Sequence, residues 1–286
     1  MAIRDLVVGA ASGALLTLLY GRYLVPTYRL RQARSKATRG KVYLVGAGPG
    51  DAGLLTVRAH QLLSIASVVV LDDLVSEEIN KLIPRDCEVI YVGKRGGKKD
   101  SAKQVDIDKI LVQKSQDGHV VVRLKGGDPM VFGRVYSEIR TLVRANCAFE
   151  VVPGISSALA APAVVNIPVT HKELSKHFLV VSLHKPDEMD FNVLAKVDTL
   201  VILMGTRTLR TIASRLIECG RSDDTPVALI HSGTLPTQIT LVGTLADIAD
   251  KASDRSYSPA IIVVGSVARY ANVDAYLQDE DLDNIV

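Results

Sequence analysis

Two glycine-rich turns, each following an apolar run, are the features of this 286-residue chain whose spacing could hold a small molecule. The first turn, VGAGPGD at residues 45–51, ends a β-branched run and precedes a helical pattern. Its glycines let bare backbone approach a ligand, and the N–H groups of the next helix point toward it. Asp51 stands where the dinucleotide fingerprint needs a third glycine, and Pro49 removes one backbone donor. Taken alone, this turn fits either a ligand cradle or a tight strand-to-helix connection.

The second turn, KGGDP at residues 125–129, also ends a buried-looking strand, so two such turns can face one ligand. With both in view, the chain resembles the tetrapyrrole methylase family from residue 42 to about residue 267. The resemblance rests on several motifs in one order: VGAGPGD (45–51), LLT (54–56), DLV (73–75), YVGKR (91–95), RLKGGDP (123–129), VFGR (131–134), VVPGISSA (151–158), IPVTH (167–171) and LMG (203–205).

The resemblance implies a fold, a cofactor and a substrate. The expected fold class is α/β, with two α/β domains of the tetrapyrrole methylase type and the cofactor in the cleft between them. The expected cofactor is S-adenosyl-L-methionine, and the expected reaction is methylation of uroporphyrinogen III at C2 and C7 to precorrin-2, on the way to sirohaem or cobalamin-type products. A homodimer is implied as well. By the same matching, the cofactor pocket is lined by Pro49, Gly126, Gly127, Asp128, Val131, Ser156, Ser157, Met204 and Gly233.

Asp72 and Lys94 are the candidate catalytic residues. Asp72 closes an apolar run about 20 residues past the first turn, where a dinucleotide enzyme places its ribose-binding acid. The resemblance assigns Asp72 instead to proton abstraction, because the cationic adduct left by methyl transfer must lose a proton, and it assigns Lys94 as a proton donor. The alternatives are a strand-end cap for Asp72 and a solvated charge for Lys94.

The loop GKRGGKK at residues 93–99 gathers basic residues that suit a substrate with many carboxylates, since arginine grips carboxylates through two hydrogen bonds. Nucleic acid is disfavoured as a partner, because no aromatic residues are interleaved to stack on bases and the net charge is only +3. Three cysteines lie far apart without metal-ligand spacing, so no metal site is expected.

The alternation of apolar runs and helical patterns predicts a mostly parallel sheet covered by helices. A second series of strands and helices follows the proline-bounded segment 162–168, so we predict domains at 41–166 and 167–275 and an acidic tail at 276–286. Strands are expected at 42–45, 68–71, 89–92, 120–124, 178–182, 199–204, 227–230 and 261–264, and helices at 54–63, 76–82, 107–114, 209–219 and 245–251.

Residues 1–40 differ in character from the rest. An apolar run at 6–19 is followed by six basic residues up to Arg39, and no acid occurs between Asp5 and Asp51. Reaching the ~20 apolar residues of a membrane span would require Arg22 to snorkel. The segment predicts a membrane anchor that leaves the catalytic domain on the cytoplasmic-type face, or a cleaved signal, or an organellar targeting segment for a plastid or mitochondrion, or a plain packed helix.

The chain also departs from the family pattern. Val135, Tyr136, Ser137 and Glu138 stand where glycines and paired acids are usual, which puts substrate detail in doubt more than cofactor identity. The competing functions are therefore a methylase of a later precorrin intermediate, a nicotinamide-dependent dehydrogenase, and a membrane-anchored ligand-binding protein that has lost activity. His171 and His184 are further candidates for substrate contacts, or else hydrogen-bonded polar histidines.

Overall fold

A computed structural model of the chain describes residues 40–93 and 103–277. Lys94, most of the basic loop, the predicted anchor or targeting segment and most of the acidic tail lie outside these residues. None of the helices within the described residues has the length and apolar character that a membrane span needs. The described residues form two compact units, one holding residues 40–47 and Leu55–Gly154, the other Gly48–Leu54 and the residues from Ile155 onward.

The first unit is built on a parallel sheet. Its strands run in the spatial order β3-β2-β4-β1-β5, and each neighbouring pair is parallel. Strands with both faces covered read as continuous apolar runs, and all four side chains of VVVL in β2 are buried. The elements in chain order are β1 Lys41–Gly46, α1 Val57–Leu63, β2 Val68–Leu71, α2 Glu77–Asn80, β3 Glu88–Tyr91, α3 Gln104–Gln116, β4 Val120–Lys125, α4 Val135–Arg144 and β5 Ala148–Val152.

Strand order places both glycine turns at one edge of this sheet. β1 and β4 are neighbours, with Gly46 opposite Lys125, so the turns that follow them begin side by side. The chain leaves β1 toward β2 and leaves β4 toward β5, on opposite sides. In open α/β sheets, ligands bind at such a reversal, outside the carboxyl ends of the strands.

The second unit contains a mixed sheet in the order β6-β7-β10-β8-β9. β6 and β7 are parallel, while β10 is antiparallel to both β7 and β8, and β8 is antiparallel to β9. The elements are α5 Ser157–Ala163, β6 Phe178–Ser182, α6 Phe191–Leu194, β7 Thr199–Leu203, α7 Leu209–Glu218, β8 Pro226–His231, β9 Ile239–Thr244, α8 Ile248–Lys251 and β10 Ala260–Val264. Short 3₁₀ helices occur at Ala52–Leu54, Pro186–Glu188, Thr206–Thr208, Ser266–Ala271 and Val273–Leu277.

The main part of the second unit begins at Ile155, earlier than the domain boundary expected near Ile167. Ala158 and Ala161 of α5 lie in the same apolar cluster as Ile230 of β8 and Val263 of β10. The helix therefore belongs with the second sheet although it begins before the proline-bounded segment. The alternation of patterns also missed two strands, β5 and β9, because both mix polar with apolar residues and most of their residues are only partly buried.

Candidate active site

Three glycines bring the carboxyl ends of β1, β4 and β5 into direct backbone contact. A Cβ on Gly46 would lie 2.6 Å from the carbonyl oxygen of Gly127 and 2.6 Å from the backbone nitrogen of Gly154. Distances below 3.0 Å are not tolerated without movement, and the atoms here are backbone. Gly127 also has φ +68°, a conformation that favours glycine. Both predicted turns therefore start from one closely packed point in the first unit.

Asp128, a predicted cofactor contact in the second turn, links that turn to the end of β5 through hydrogen bonds. Its Oδ2 accepts a hydrogen bond from the Gly154 N–H at 2.9 Å, and its Oδ1 accepts from the Met130 N–H at 2.8 Å. Each carboxylate oxygen has a further lone pair. Asp128 thus fixes the shape of the turn and keeps acceptor capacity for the amino or ribose groups of a cofactor.

Asp72 lies at the end of β2, next to the second turn. Its Oδ1 accepts from the Asp73 N–H at 2.9 Å, and its Oδ2 lies 3.4 Å from Nη2 of Arg123. The side chain is 30% exposed, so it can reach a bound molecule while one edge stays paired. Nearby, a Cβ on Gly126 would come within 2.7 Å of Leu74. The structure therefore brings Asp72, Gly126, Gly127 and Asp128 to one edge of one sheet.

Beneath Asp72 lies a buried charge cluster that the sequence reading did not predict. Arg123 and Lys125 of β4 and Glu138 of α4 are 3%, 4% and 0% exposed. Oε1 of Glu138 accepts from Arg123 Nε at 3.1 Å and from Lys125 Nζ at 3.0 Å. Burial and the neighbouring Arg123 lower the pKa of Lys125, and Glu138 partly offsets them. The sequence feature that could have indicated this cluster is the presence of two basic residues, Arg123 and Lys125, at alternate positions of an otherwise apolar strand.

In the second unit, packing joins the first turn to the segment around Gly233. The N–H of Asp51 donates to Thr234 Oγ1 at 3.2 Å, and a Cβ on Gly50 would lie 2.8 Å from the Leu235 side chain. A Cβ on Gly233 would lie 3.0 Å from Cβ of Ala161 in α5, the helix that Ser156 caps by accepting from the Ala158 N–H. These contacts bring together the segments that carry Pro49, Gly233 and the serine pair Ser156 and Ser157.

Backbone strain occurs at one predicted cofactor position, Met204, and at the two residues that flank another, Gly233. Met204 has φ +56° and is half exposed, and Ser232 and Thr234 on either side of Gly233 have φ +49° and +75°. A positive φ is a genuine outlier for a β-branched threonine and costs ~1–3 kcal/mol. Such strain persists where the surrounding structure enforces it, commonly at ligand sites.

Of the remaining candidates, Val131 lies partly buried in the loop after the second turn, between two exposed side chains, Met130 and Phe132. His171 accepts two backbone N–H bonds through Nδ1, from Glu173 and Leu174, each at 3.2 Å. His184 Nδ1 lies 3.2 Å from Ser182 Oγ. Both histidines therefore have local hydrogen-bond partners, as the alternative reading expected. Within the described residues, no group of three or more His, Cys, Asp or Glu side chains is placed to hold a metal ion.

Comparison with known proteins identifies the family. The protein-family model described as Tetrapyrrole (Corrin/Porphyrin) Methylases matches residues 41–249 of this chain. The chain belongs to the tetrapyrrole methylase family. It is 47% identical over 230 residues to a uroporphyrinogen-III C-methyltransferase of Synechococcus elongatus, covering 80% of this chain and 94% of that protein. A protein of the same name from Methanocaldococcus jannaschii is 48% identical over 235 residues, covering 80% of this chain and 96% of the relative.

A solved structure of this family has a similar fold. The uroporphyrin-III C-methyl transferase of Thermus thermophilus, complexed with S-adenyl homocysteine, has a TM-score of 0.70 and 39% identity, covering 80% of this chain and 99% of that one. The predicted α/β tetrapyrrole methylase fold is confirmed.

In this tetrapyrrole methylase, local contacts account for part of the departure at residues 135–138. Ser137 Oγ donates to Asp108 Oδ2 at 2.6 Å, and Thr141 donates to the same oxygen at 3.2 Å. An acid at position 137 would face the carboxylate of Asp108, which is 6% exposed, and like charges repel strongly at such a site. Glu138, the acid that remains, is the one paired with Arg123 and Lys125.

Proposed function

We propose that the protein methylates uroporphyrinogen III at C2 and C7 with S-adenosyl-L-methionine and releases precorrin-2. The observation that carries the proposal is the similarity, over four fifths of the chain, to proteins named uroporphyrinogen-III C-methyltransferase. The arrangement of the two glycine turns at the ends of β1 and β4 supports it, because adjacent carboxyl ends of parallel strands are the expected ligand edge of such a sheet.

The residues present fit this cofactor. Asp128 retains acceptor capacity for the cofactor's amino or ribose hydroxyl groups, the glycine turns offer backbone N–H groups, and the half-exposed Met204 offers an apolar surface. When bound, S-adenosyl-L-methionine supplies an electrophilic methyl group on a sulfonium. We assign Pro49, Gly126, Gly127, Asp128, Val131, Ser156, Ser157, Met204 and Gly233 to this binding.

Methyl transfer would form a carbon–carbon bond at an electron-rich pyrrole carbon and break the methyl–sulfur bond of the sulfonium, so that S-adenosylhomocysteine leaves and the pyrrole ring gains the positive charge. We assign Asp72 to take up the proton whose loss restores neutrality, because its carboxylate is partly exposed and is held by Arg123. Lys94 is assigned as the proton donor from the family match alone. The proposal includes a homodimer, and a role for residues 1–40 in directing the protein to a membrane or organelle.

Anaerobic incubation of the purified protein with labelled S-adenosyl-L-methionine and uroporphyrinogen III tests the proposal. Mass measurement should show two added methyl groups and one S-adenosylhomocysteine per methyl. Labelling of a later precorrin in place of uroporphyrinogen III would assign the chain to a later methylation. Absence of transfer with intact cofactor binding would favour a ligand-binding protein that has lost activity.

Calorimetric titration tests the cofactor separately, with NAD as the comparison ligand. We expect heat with S-adenosyl-L-methionine and none with NAD. Gly127→Leu should abolish cofactor binding, because it places a side chain at φ +68° where backbone approaches the ligand. Gly118→Leu is the matched control, since Gly118 also has a positive φ but has nothing within 4 Å of an added Cβ. Tight NAD binding without S-adenosyl-L-methionine heat would overturn the assignment.

A further inference from the structure

Glu138 is a buried acid with a defined connection to Asp72. Its side chain is 0% exposed, and one oxygen, Oε1, accepts from both Arg123 and Lys125. The other oxygen, Oε2, is buried and has no hydrogen-bond partner among residues 40–93 and 103–277. The observed contacts of the Glu138 carboxylate are therefore with the two cations of β4. Burying a carboxylate costs free energy unless a cation pairs with it.

Arg123 connects Glu138 to Asp72. Its Nε donates to Glu138, its Nη1 donates to the carbonyl oxygens of Val70 and Leu124 at 3.3 Å each, and its Nη2 lies 3.4 Å from Asp72 Oδ2. The guanidinium is planar and rigid, so fixing one nitrogen fixes the direction of the others. The contact at Nε therefore determines where Nη2 meets the carboxylate of Asp72.

The balance of buried charges makes the contact between Arg123 and Asp72 depend on the negative charge of Glu138. Arg123 and Lys125 are neighbouring cations that are almost fully buried, and within the described residues the acids that they contact are Glu138 and Asp72. Without the negative charge at Glu138, Asp72 would be the remaining anion close to the pair. The guanidinium would then move toward Asp72 or Lys125 would give up its proton, since unpaired buried charge is costly.

We infer that Glu138 is a positioning residue that holds Arg123 in place and, through Arg123, orients the carboxylate of Asp72 for proton uptake. The inference rests on the proposed function, in which Asp72 takes that proton. Glu138 itself is buried and is assigned no contact with substrate or cofactor. Its role is distinct from general support of the fold because its effect must pass through Asp72.

A double-mutant cycle separates these roles. Glu138→Gln keeps the side-chain shape and removes the charge, and it should lower the single-turnover methylation rate ~10–100-fold, since a shift of ~1 Å in a reacting group costs roughly 10²-fold. In the Asp72→Asn background the same change should alter the residual rate less than about two-fold, because the group being positioned is gone. Affinity for S-adenosyl-L-methionine should stay within a few-fold in every variant.

Asp108→Asn is the matched control, because Asp108 is a buried acid that hydrogen-bonds α4 through Ser137 and Thr141 and has no observed contact with Arg123. It should lower the rate by the same factor with and without Asp72. An equal loss from Glu138→Gln in both backgrounds would overturn the inference and leave the proposed function intact. A parental chain that does not methylate, or an Asp72→Asn variant with the parental rate, would instead refute the function or the role of Asp72.

Arg123→Lys keeps the test open if Glu138→Gln does not fold. A lysine retains the charge but cannot span both carboxylates with one fixed plane, so it should reproduce the loss with Asp72 present and show little effect without it. Glu138→Asp should recover part of the rate lost in Glu138→Gln, because it restores the charge one methylene further from the pair. A full loss in Glu138→Asp, equal to that of Glu138→Gln, would count against the charge-based positioning.

Discussion

Replacing Gly46 with alanine should both destabilise the first unit and weaken cofactor binding. The new methyl group would lie 2.6 Å from the Gly127 carbonyl oxygen and from the Cα and backbone nitrogen of Gly154. These are backbone atoms at the ends of β4 and β5, so no side chain can rotate aside to make room. The backbones must separate, and the Asp128–Gly154 hydrogen bond at 2.9 Å would be disturbed with them.

The magnitude follows from two opposing effects. Forcing one extra carbon into a closely packed site costs ~1–3 kcal/mol, and more where backbone must move. Reduced freedom of the unfolded chain returns ~0.4–1 kcal/mol for a Gly→Ala change. A net loss of ~2 kcal/mol corresponds to a fall in the melting temperature of roughly 4–8 °C, at ~2–4 °C for each kcal/mol in a domain of this size. Movement of the second turn should lower cofactor affinity at least ~10-fold, about 1.4 kcal/mol.

Thermal unfolding and calorimetric titration with S-adenosyl-L-methionine, measured on the same preparations, check both parts. Gly118→Ala is the control for conformational strain alone, because Gly118 has φ +88° and nothing within 4 Å of an added Cβ. It should lower the melting temperature by a smaller amount and leave cofactor affinity unchanged. Parental stability together with parental affinity in Gly46→Ala would refute the argument that direct contact among the three glycines shapes the site.

Further predictions concern catalysis, pH dependence and the N-terminal segment. Asp72→Asn and Lys94→Met should each lower the single-turnover rate of methyl transfer by ~10²–10⁴-fold while cofactor affinity stays within a few-fold of the parental value. Parental rates in both variants would mean that Asp72 is only a strand-end cap and Lys94 only a surface charge. Burial raises the pKa of Glu150, but hydrogen bonds from Lys41 and Arg58 outweigh it and hold that pKa below its ordinary value. Glu150→Gln should therefore destabilise by less than ~1 kcal/mol near pH 7, and denaturant titrations should show this difference vanishing as the pH falls through the lowered pKa; a difference that persists in strong acid would contradict the ion pair as its source. Deleting residues 1–39 should leave an active enzyme, because the family match begins at residue 41, and failure of the shortened chain to fold would show that the segment is required for the fold.

Local sequence determined many of the elements and the positions of the two glycine-rich turns. Parallel strands covered on both faces need continuous apolar runs, so β1, β2 and β4 could be read directly from the chain. The order of the glycine motifs was sufficient to indicate the tetrapyrrole methylase family, which the comparisons confirmed. β5 and β9 escaped prediction because partly exposed strands have a mixed pattern that local periodicity does not distinguish from loops.

Tertiary structure alone decided which charges are buried and which glycines touch. Arg123 lies 51 positions from Asp72 and 15 from Glu138, and nothing local marks either as its partner. Their pairing follows from placing β4 between β2 and β1 with α4 against it. The contact of Gly46 with Gly127 and Gly154 likewise depends on strand order. Both arise because burial and steric contact are properties of neighbours in space, which a one-dimensional pattern does not specify.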